Sequence, residues 1–139
     1  MYIMNVYIDQ LIKCKTKKEF KELWDPEKFN WNHSYYLAEY CSKYFNIWWD
    51  PEKFNWSDSW SLPKYCSKYF NIWWDPEKFN WKYSNYLVEY CSEYFETWWD
   101  EDKHNWTYRE SLMDLEKFCY KYKKIWAKPF ILEKLKRGV

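Results

Sequence analysis

Five cysteines and two histidines are the residues of this chain best suited to nucleophilic or metal chemistry. A thiolate becomes a nucleophile when a neighbouring charge lowers its pKa, and thiolates with imidazoles hold zinc when they come at short spacings such as Cys-x-x-Cys. Neither pattern is present. Cys41, Cys66 and Cys91 stand 25 residues apart, no Cys-x-x-Cys occurs, and His33 and His104 fall in non-adjacent repeats. Disulfides are disfavoured as well, because residues one repeat apart on stacked helices lie about 8–10 Å apart, beyond the roughly 4.4–6.8 Å that a disulfide spans between Cα atoms. The cysteines therefore read as free thiols acting as small apolar core residues, with no metal and no cofactor.

Carboxylates give the same answer. An active site needs its acid, base or nucleophile once, yet Asp25, Asp50 and Asp75 recur in register, as do Glu27, Glu52 and Glu77, so each serves the repeat. Asp58, Asp114, His33 and His104 are off register and read as polar surface residues. The chain reads as no enzyme, with no small-molecule substrate.

The elements that carry these residues follow from an internal period. Trp24-Asp25-Pro26-Glu27-Lys28-Phe29-Asn30-Trp31 recurs at 49–56 and 74–81, with a decayed copy at 99–106. Between these blocks runs Ser-x-x-Leu-x-x-Tyr-Cys-Ser-x-Tyr-Phe-x-x-Trp, in the first copy Ser34, Leu37, Tyr40, Cys41, Tyr44, Phe45 and Trp48. A fixed period of 25 residues is the mark of a tandem array and predicts an all-α fold, a right-handed α-solenoid of 25-residue repeats. Each repeat should hold one main helix of about 13 residues and a short α or 3-10 helix.

Within a copy, Asp25 stands at an N-cap, Pro26 at N1 and Glu27 near the positive helix end, while Trp24 and Phe29 form a hydrophobic staple. Leu37, Cys41, Tyr44, Phe45 and Trp48 share one face of the main helix, with Ser34 as its N-cap and Pro63 delaying the helix start in the second copy. Trp24, Phe29, Trp31, Leu37, Cys41, Phe45 and Trp48, with their equivalents, are the predicted core.

The organisation is an N-terminal half-repeat cap at 1–23, repeats at 24–48, 49–73 and 74–98 with a decayed copy from 99 to 106, and a basic C-terminal cap at 107–139. Thr16 and Glu19 form a capping box in the first cap. In the last, Cys119, Tyr122 and Trp126 match Cys91, Tyr94 and Trp98 after a three-residue insertion, and a short helix is expected at 130–137. The whole chain is nearly neutral at +1, but residues 25–104 carry net −6 and residues 105–139 net +5. No apolar run reaches the ~20 residues of a membrane span, and no secretory signal is evident, so a reducing, intracellular setting without membrane insertion is expected.

Aromatic residues number 37, from 9 Phe, 15 Tyr and 13 Trp, more than a core of this size hides comfortably, so some rings must face outward. Copies are identical between 40–56 and 65–81 and differ at the start of the main helix, where Asn32, His33, Tyr35 and Tyr36 become Ser57, Asp58, Trp60 and Ser61, then Lys82, Tyr83, Asn85 and Tyr86. A row of rings there offers large, rigid contact area. His33, Tyr35, Tyr36, Asp58, Trp60, Tyr83 and Tyr86 are the candidate partner-binding residues. Single-stranded nucleic acid could also stack on such rings, but the acidic middle of the array opposes phosphate.

The Trp-Trp-Asp-Pro-Glu-Lys-Phe-Asn-Trp and Tyr-Cys-Ser-x-Tyr-Phe blocks resemble the tryptophan-rich tandem repeats of uncharacterised proteins from giant DNA viruses, over residues 24–106. The resemblance implies a viral repeat scaffold in the host cytoplasm or virion and brings no catalytic residue, ligand or partner with it. The expected function is a non-enzymatic scaffold that mediates protein–protein interaction, self-association or structural assembly. Nucleic-acid binding is the alternative.

Overall fold

A computed structural model describes residues 6–107 and 110–127 of the chain. The fold is an all-α repeat: described residues form short α-helices and 3-10 turns recurring at the 25-residue spacing, with no strand among them. Two compact units divide the chain, Met1–Trp73 and Trp74–Val139. The predicted last helix at 130–137, and Lys128, Lys134, Lys136 and Arg137 with it, lie outside the described residues.

Each repeat opens with a turn rather than the expected short helix. Asp25 Oδ1 accepts the Glu27 N–H at 3.0 Å, and its carbonyl accepts the Lys28 N–H at 3.0 Å, closing one turn around Pro26. The staple forms as predicted, with ring centroids 5.7 Å apart in Trp24/Phe29, 5.3 Å in Trp49/Phe54 and 5.5 Å in Trp74/Phe79. Asn then starts a three-residue 3-10 turn: the Asn30 side chain accepts the Asn32 N–H ahead of Trp31–His33, and Asn55 and Asn80 do the same for Trp56–Asp58 and Trp81–Tyr83.

The main helix is broken rather than continuous. In unit 1 it comprises α3 (Tyr35–Tyr40), a 3-10 turn at Ser42–Tyr44, and α4 (Phe45–Trp48); the next copy has α5 (Ser61–Cys66), Ser67–Tyr69 and α6 (Phe70–Trp73). Cys41 sits at the break, with φ −123° and ψ 23°. Its carbonyl accepts the Tyr44 N–H at 2.9 Å in 3-10 fashion and also the Trp48 indole N–H at 2.7 Å. The same tie joins Trp73 to Cys66 at 2.7 Å. A phenylalanine could fill this volume but could not donate that bond, which explains why each copy carries Trp here. Pro63 lies in the first turn of α5, and α5 starts one residue later in its repeat than α3 does, as expected.

The predicted stripe is the core: Leu37, Cys41, Tyr44, Phe45 and Trp48 are all buried. Two expected core positions are not. Trp24 and Trp31, like Trp49 and Trp56 or Trp74 and Trp81, are partly exposed and stand edge-on to each other over the buried Phe29, Phe54 or Phe79. Trp31 and Trp56 point their indole N–H groups at the carbonyls of Pro26 and Pro51.

Ser34, read as an N-cap, makes no capping bond; its backbone is helical and its hydroxyl accepts the Asn55 N–H of the following repeat at 2.9 Å. Aromatic stacking runs beside it, with Phe20 on Tyr44 at 4.6 Å and Phe45 on Tyr69 at 4.6 Å. At the front, α1 (Val6–Ile12) and α2 (Lys17–Leu23) close the unit. Tyr7 donates to the Leu23 carbonyl at 2.7 Å, and Thr16 caps α2 by accepting the Glu19 N–H.

Unit 2 repeats the scheme with α7 (Ser84–Tyr90), α8 (Phe95–Trp98), α9 (Ser111–Phe118) and α10 (Lys123–Trp126). Trp98 ties to the Cys91 carbonyl at 2.8 Å, Trp126 to Cys119 at 2.9 Å, and Phe95 stacks on Tyr122 at 4.7 Å. His104, read as a surface residue, is instead a core residue at 4% exposure, in the place that Phe29, Phe54 and Phe79 hold in the other copies.

Candidate binding face

The copy-variable positions lie where the 3-10 turn hands over to the main helix, and with Ser34, Leu37 and Cys41 buried, Tyr35, Tyr36, Glu39 and Tyr40 are left partly or fully exposed. None of the seven candidates is buried.

In unit 1 four of them form a chain of ring contacts. His33 meets Tyr36 edge-on at 6.1 Å, Tyr36 stacks on Tyr35 at 4.4 Å, and Tyr35 approaches Trp60 at 6.3 Å. Asp58 stands apart from the rings, its carboxylate accepting from the Asn55 side chain at 3.4 Å. In unit 2 Tyr83 meets Tyr86 edge-on at 6.1 Å, with the Lys82 ammonium 5.0 Å above the Tyr83 ring.

Three further rings extend these rows. Tyr40 stacks on Tyr36 at 6.0 Å, Tyr65 meets Trp60 at 6.3 Å, and Tyr90 stacks on Tyr86 at 6.2 Å. They belong to the invariant Tyr-Cys-Ser block, and the sequence reading placed them neither in the core nor among the candidate partner-binding residues. The signal that could have placed them outside is spacing: Tyr40 and Tyr90 stand four residues after Tyr36 and Tyr86, on the same helix face. Tyr40 is 48% exposed and Tyr90 36%.

Carboxylates flank the rings. Glu39 accepts the Tyr65 hydroxyl proton at 3.2 Å, and its charge raises the phenol pKa of neighbouring Tyr40. In unit 2, burial first, and then the charges of Glu110 and Glu89, raise the carboxyl pKa of Asp114 above the ordinary value. The face thus combines large flat rings with carboxylate hydrogen-bond acceptors and with the ammonium groups of Lys64 and Lys82.

The thiols lie on the opposite side of the chemistry. All five cysteines are buried and unpaired. Burial pushes the thiol pKa of Cys41, Cys66 and Cys119 up to about 12 and raises that of Cys91 as well, so they are protonated at neutral pH and poor nucleophiles. Among the described residues no three His, Cys, Asp or Glu side chains converge as a metal site would require, and no helix is long and apolar enough to cross a membrane.

Comparison with known proteins finds no match in any described family, curated sequence or solved structure.

Proposed function

We propose that the chain is a non-enzymatic scaffold that binds another protein, or further copies of itself, through the aromatic rows at the start of its main helices. The observation that carries this reading is a division of labour: the buried leucine, cysteine, phenylalanine and tryptophan of the main helix repeat from copy to copy, while His33, Tyr35, Tyr36, Trp60, Tyr83 and Tyr86 stand at positions that vary, are not buried, and make ring contacts within each unit. Tyr and Trp supply contact area at small entropic cost, which suits them to association hot spots. The resemblance to tryptophan-rich viral repeats supports an intracellular, viral setting, in the host cytoplasm or the virion.

Replacing Tyr35, Trp60 and Tyr83 together with Ser tests the reading. The expected outcome is an unchanged helical spectrum and urea midpoint, with loss of the self-association or partner capture that the unaltered chain displays in sedimentation and cross-linking. Unchanged association would overturn it. Nucleic-acid binding is the second reading, favoured by Lys64 and Lys82 lying over Tyr65 and Tyr83 beside these rows at 5.3 and 5.0 Å. It requires salt-dependent binding to single-stranded DNA or RNA.

A further inference from the structure

His104 is the one titratable side chain in the phenylalanine series Phe29, Phe54, Phe79 and His104. It occupies the same aromatic enclosure as the phenylalanines. Phe54 lies 5.3 Å from Trp49 and 5.7 Å from Trp56, and His104 lies 5.2 Å from Trp99 and 4.8 Å from Trp106. Its burial is the same too, 4% exposure against 4% for Phe54 and for Phe79.

What differs is polarity. His104 Nδ1 is 2.8 Å from Ser84 Oγ, which also accepts the Asn105 N–H at 2.8 Å, while Nε2 is buried without a hydrogen-bond partner among the described residues. Only one of the two ring nitrogens is therefore satisfied, whichever of them carries the proton in the neutral form. The cation has two N–H groups and a full charge in this enclosure, so one donor is left unmet and the charge is unhydrated.

Surrounding charges do not compensate. On the same loop, Asp100 Oδ1 is occupied by the Asp102 and Lys103 N–H groups, the Lys103 ammonium lies 3.9 Å from Glu77, and Glu101 and Asp102 complete the turn. Ahead of α7, Lys82 lies over Tyr83; on α8, Glu96 is exposed; on α9, Asp114 interacts with Glu110, Glu89 and Lys117. Burial is the sole cause acting on the imidazole, and it lowers the pKa to about 4.

We propose that the loop at residues 100–106 is an acid-sensitive latch: protonation of His104 expels the imidazole from between Trp99 and Trp106, breaks its contact with Ser84, and opens this copy while the phenylalanine-bearing copies stay closed. The driving force is the difference between a hydrated imidazolium in the open loop and a buried one in the closed loop. With the ordinary value of 6.5 applying to the open loop, the opening constant rises about twenty-fold from pH 7 to pH 5.

Amide hydrogen exchange on the full chain reads this directly. The His104 amide donates to the Asp100 carbonyl and the Asn105 amide to Ser84 Oγ, while Phe54 and Asn55 make the same bonds to Asp50 and Ser34. Protection of His104 and Asn105, corrected for intrinsic rates, is expected to fall about twenty-fold from pH 7 to pH 5 with Phe54 and Asn55 unchanged. In His104→Phe, which restores the residue found in the other copies, the Asn105 amide should lose this dependence. Equal loss at both loops, equal loss in His104→Phe, or no loss at all would overturn the proposal. So would an imidazole that titrates at or above 6.5 in the folded chain by NMR.

Discussion

Ser34 offers a sharp test of how the repeats are joined. Two roles are open to a serine at the start of a helix, and they respond differently to substitution. As an N-cap, Ser34 would be replaceable by Asp without loss and by Gly at a cost of a few tenths of a kcal/mol. In the structure it is wholly buried, and its hydroxyl accepts the Asn55 N–H from the next copy at 2.9 Å. Ser34→Ala or Ser34→Gly then leaves that amide without its acceptor, a loss of about 1–3 kcal/mol. Ser34→Asp places a larger, charged group where no water reaches, and burial of the charge together with overpacking should cost at least about 3 kcal/mol. Urea melts of the three variants give the ranking, with Asp worst. Hydrogen exchange in Ser34→Ala should show a loss of protection at Asn55. If Ser34→Asp is as stable as the unaltered chain, or if Asn55 keeps its protection in Ser34→Ala, the hydroxyl is not the joint between copies.

Other consequences are checked in the same way. Trp48→Ala removes a ring of 1% exposure together with its bond to the Cys41 carbonyl and should cost about 3–5 kcal/mol. Trp56→Ala, at a partly exposed ring, should cost about 1–2 kcal/mol less, and equal urea midpoints for the two would contradict the assigned burial. The thiols of Cys41, Cys66 and Cys119, with pKa values pushed up to about 12, should react with a disulfide reagent at neutral pH only at the rate of unfolding; faster labelling would refute their burial. For His104 the folded chain favours the neutral form, so its contribution to stability is complete above 6.5 and lost as the pH falls toward 4, about 2 kcal/mol of it between pH 7 and pH 5. His104→Phe should flatten that part of the stability curve in melts taken across the range.

The repeat period and the buried stripe were legible because both depend on short-range regularities: a ring at every twenty-fifth position, and apolar residues three and four apart. The break at Cys41 was not. Nothing in a helical stripe distinguishes a continuous helix from two short ones in phase, and the feature that decides it is a side chain seven residues on, Trp48, which takes the Cys41 carbonyl out of the α-helical ladder. Ser34 misled for a related reason. A serine before an apolar run looks the same whether its hydroxyl turns back to its own helix or forward to the next copy, and only the stacking of repeats supplies the Asn55 amide. His104 was misread because a polar residue in a decayed copy suggests an exposed one, whereas Trp99 and Trp106 still enclose it.

The same stacking series changes character in the copy at 119–126. Phe20, Phe45 and Phe95 each lie flat against a tyrosine of the following copy, Tyr44, Tyr69 and Tyr122, at 4.6–4.7 Å. Shifting Phe95 by the 28 residues that align the last copy arrives at Lys123, which is exposed. Its ammonium pairs with Glu116 at 3.0 Å and lies 5.5 Å from the Tyr120 ring, so the position that would receive another tyrosine is occupied by a solvated charge. This copy thus carries a solvated charge where the earlier copies carry a phenylalanine that stacks on the next tyrosine. The rows led by Tyr36 and Tyr86 are made of other rings than this stacking series. On the proposed reading, the surface offered to partners is then distinct from the surface on which the copies stack.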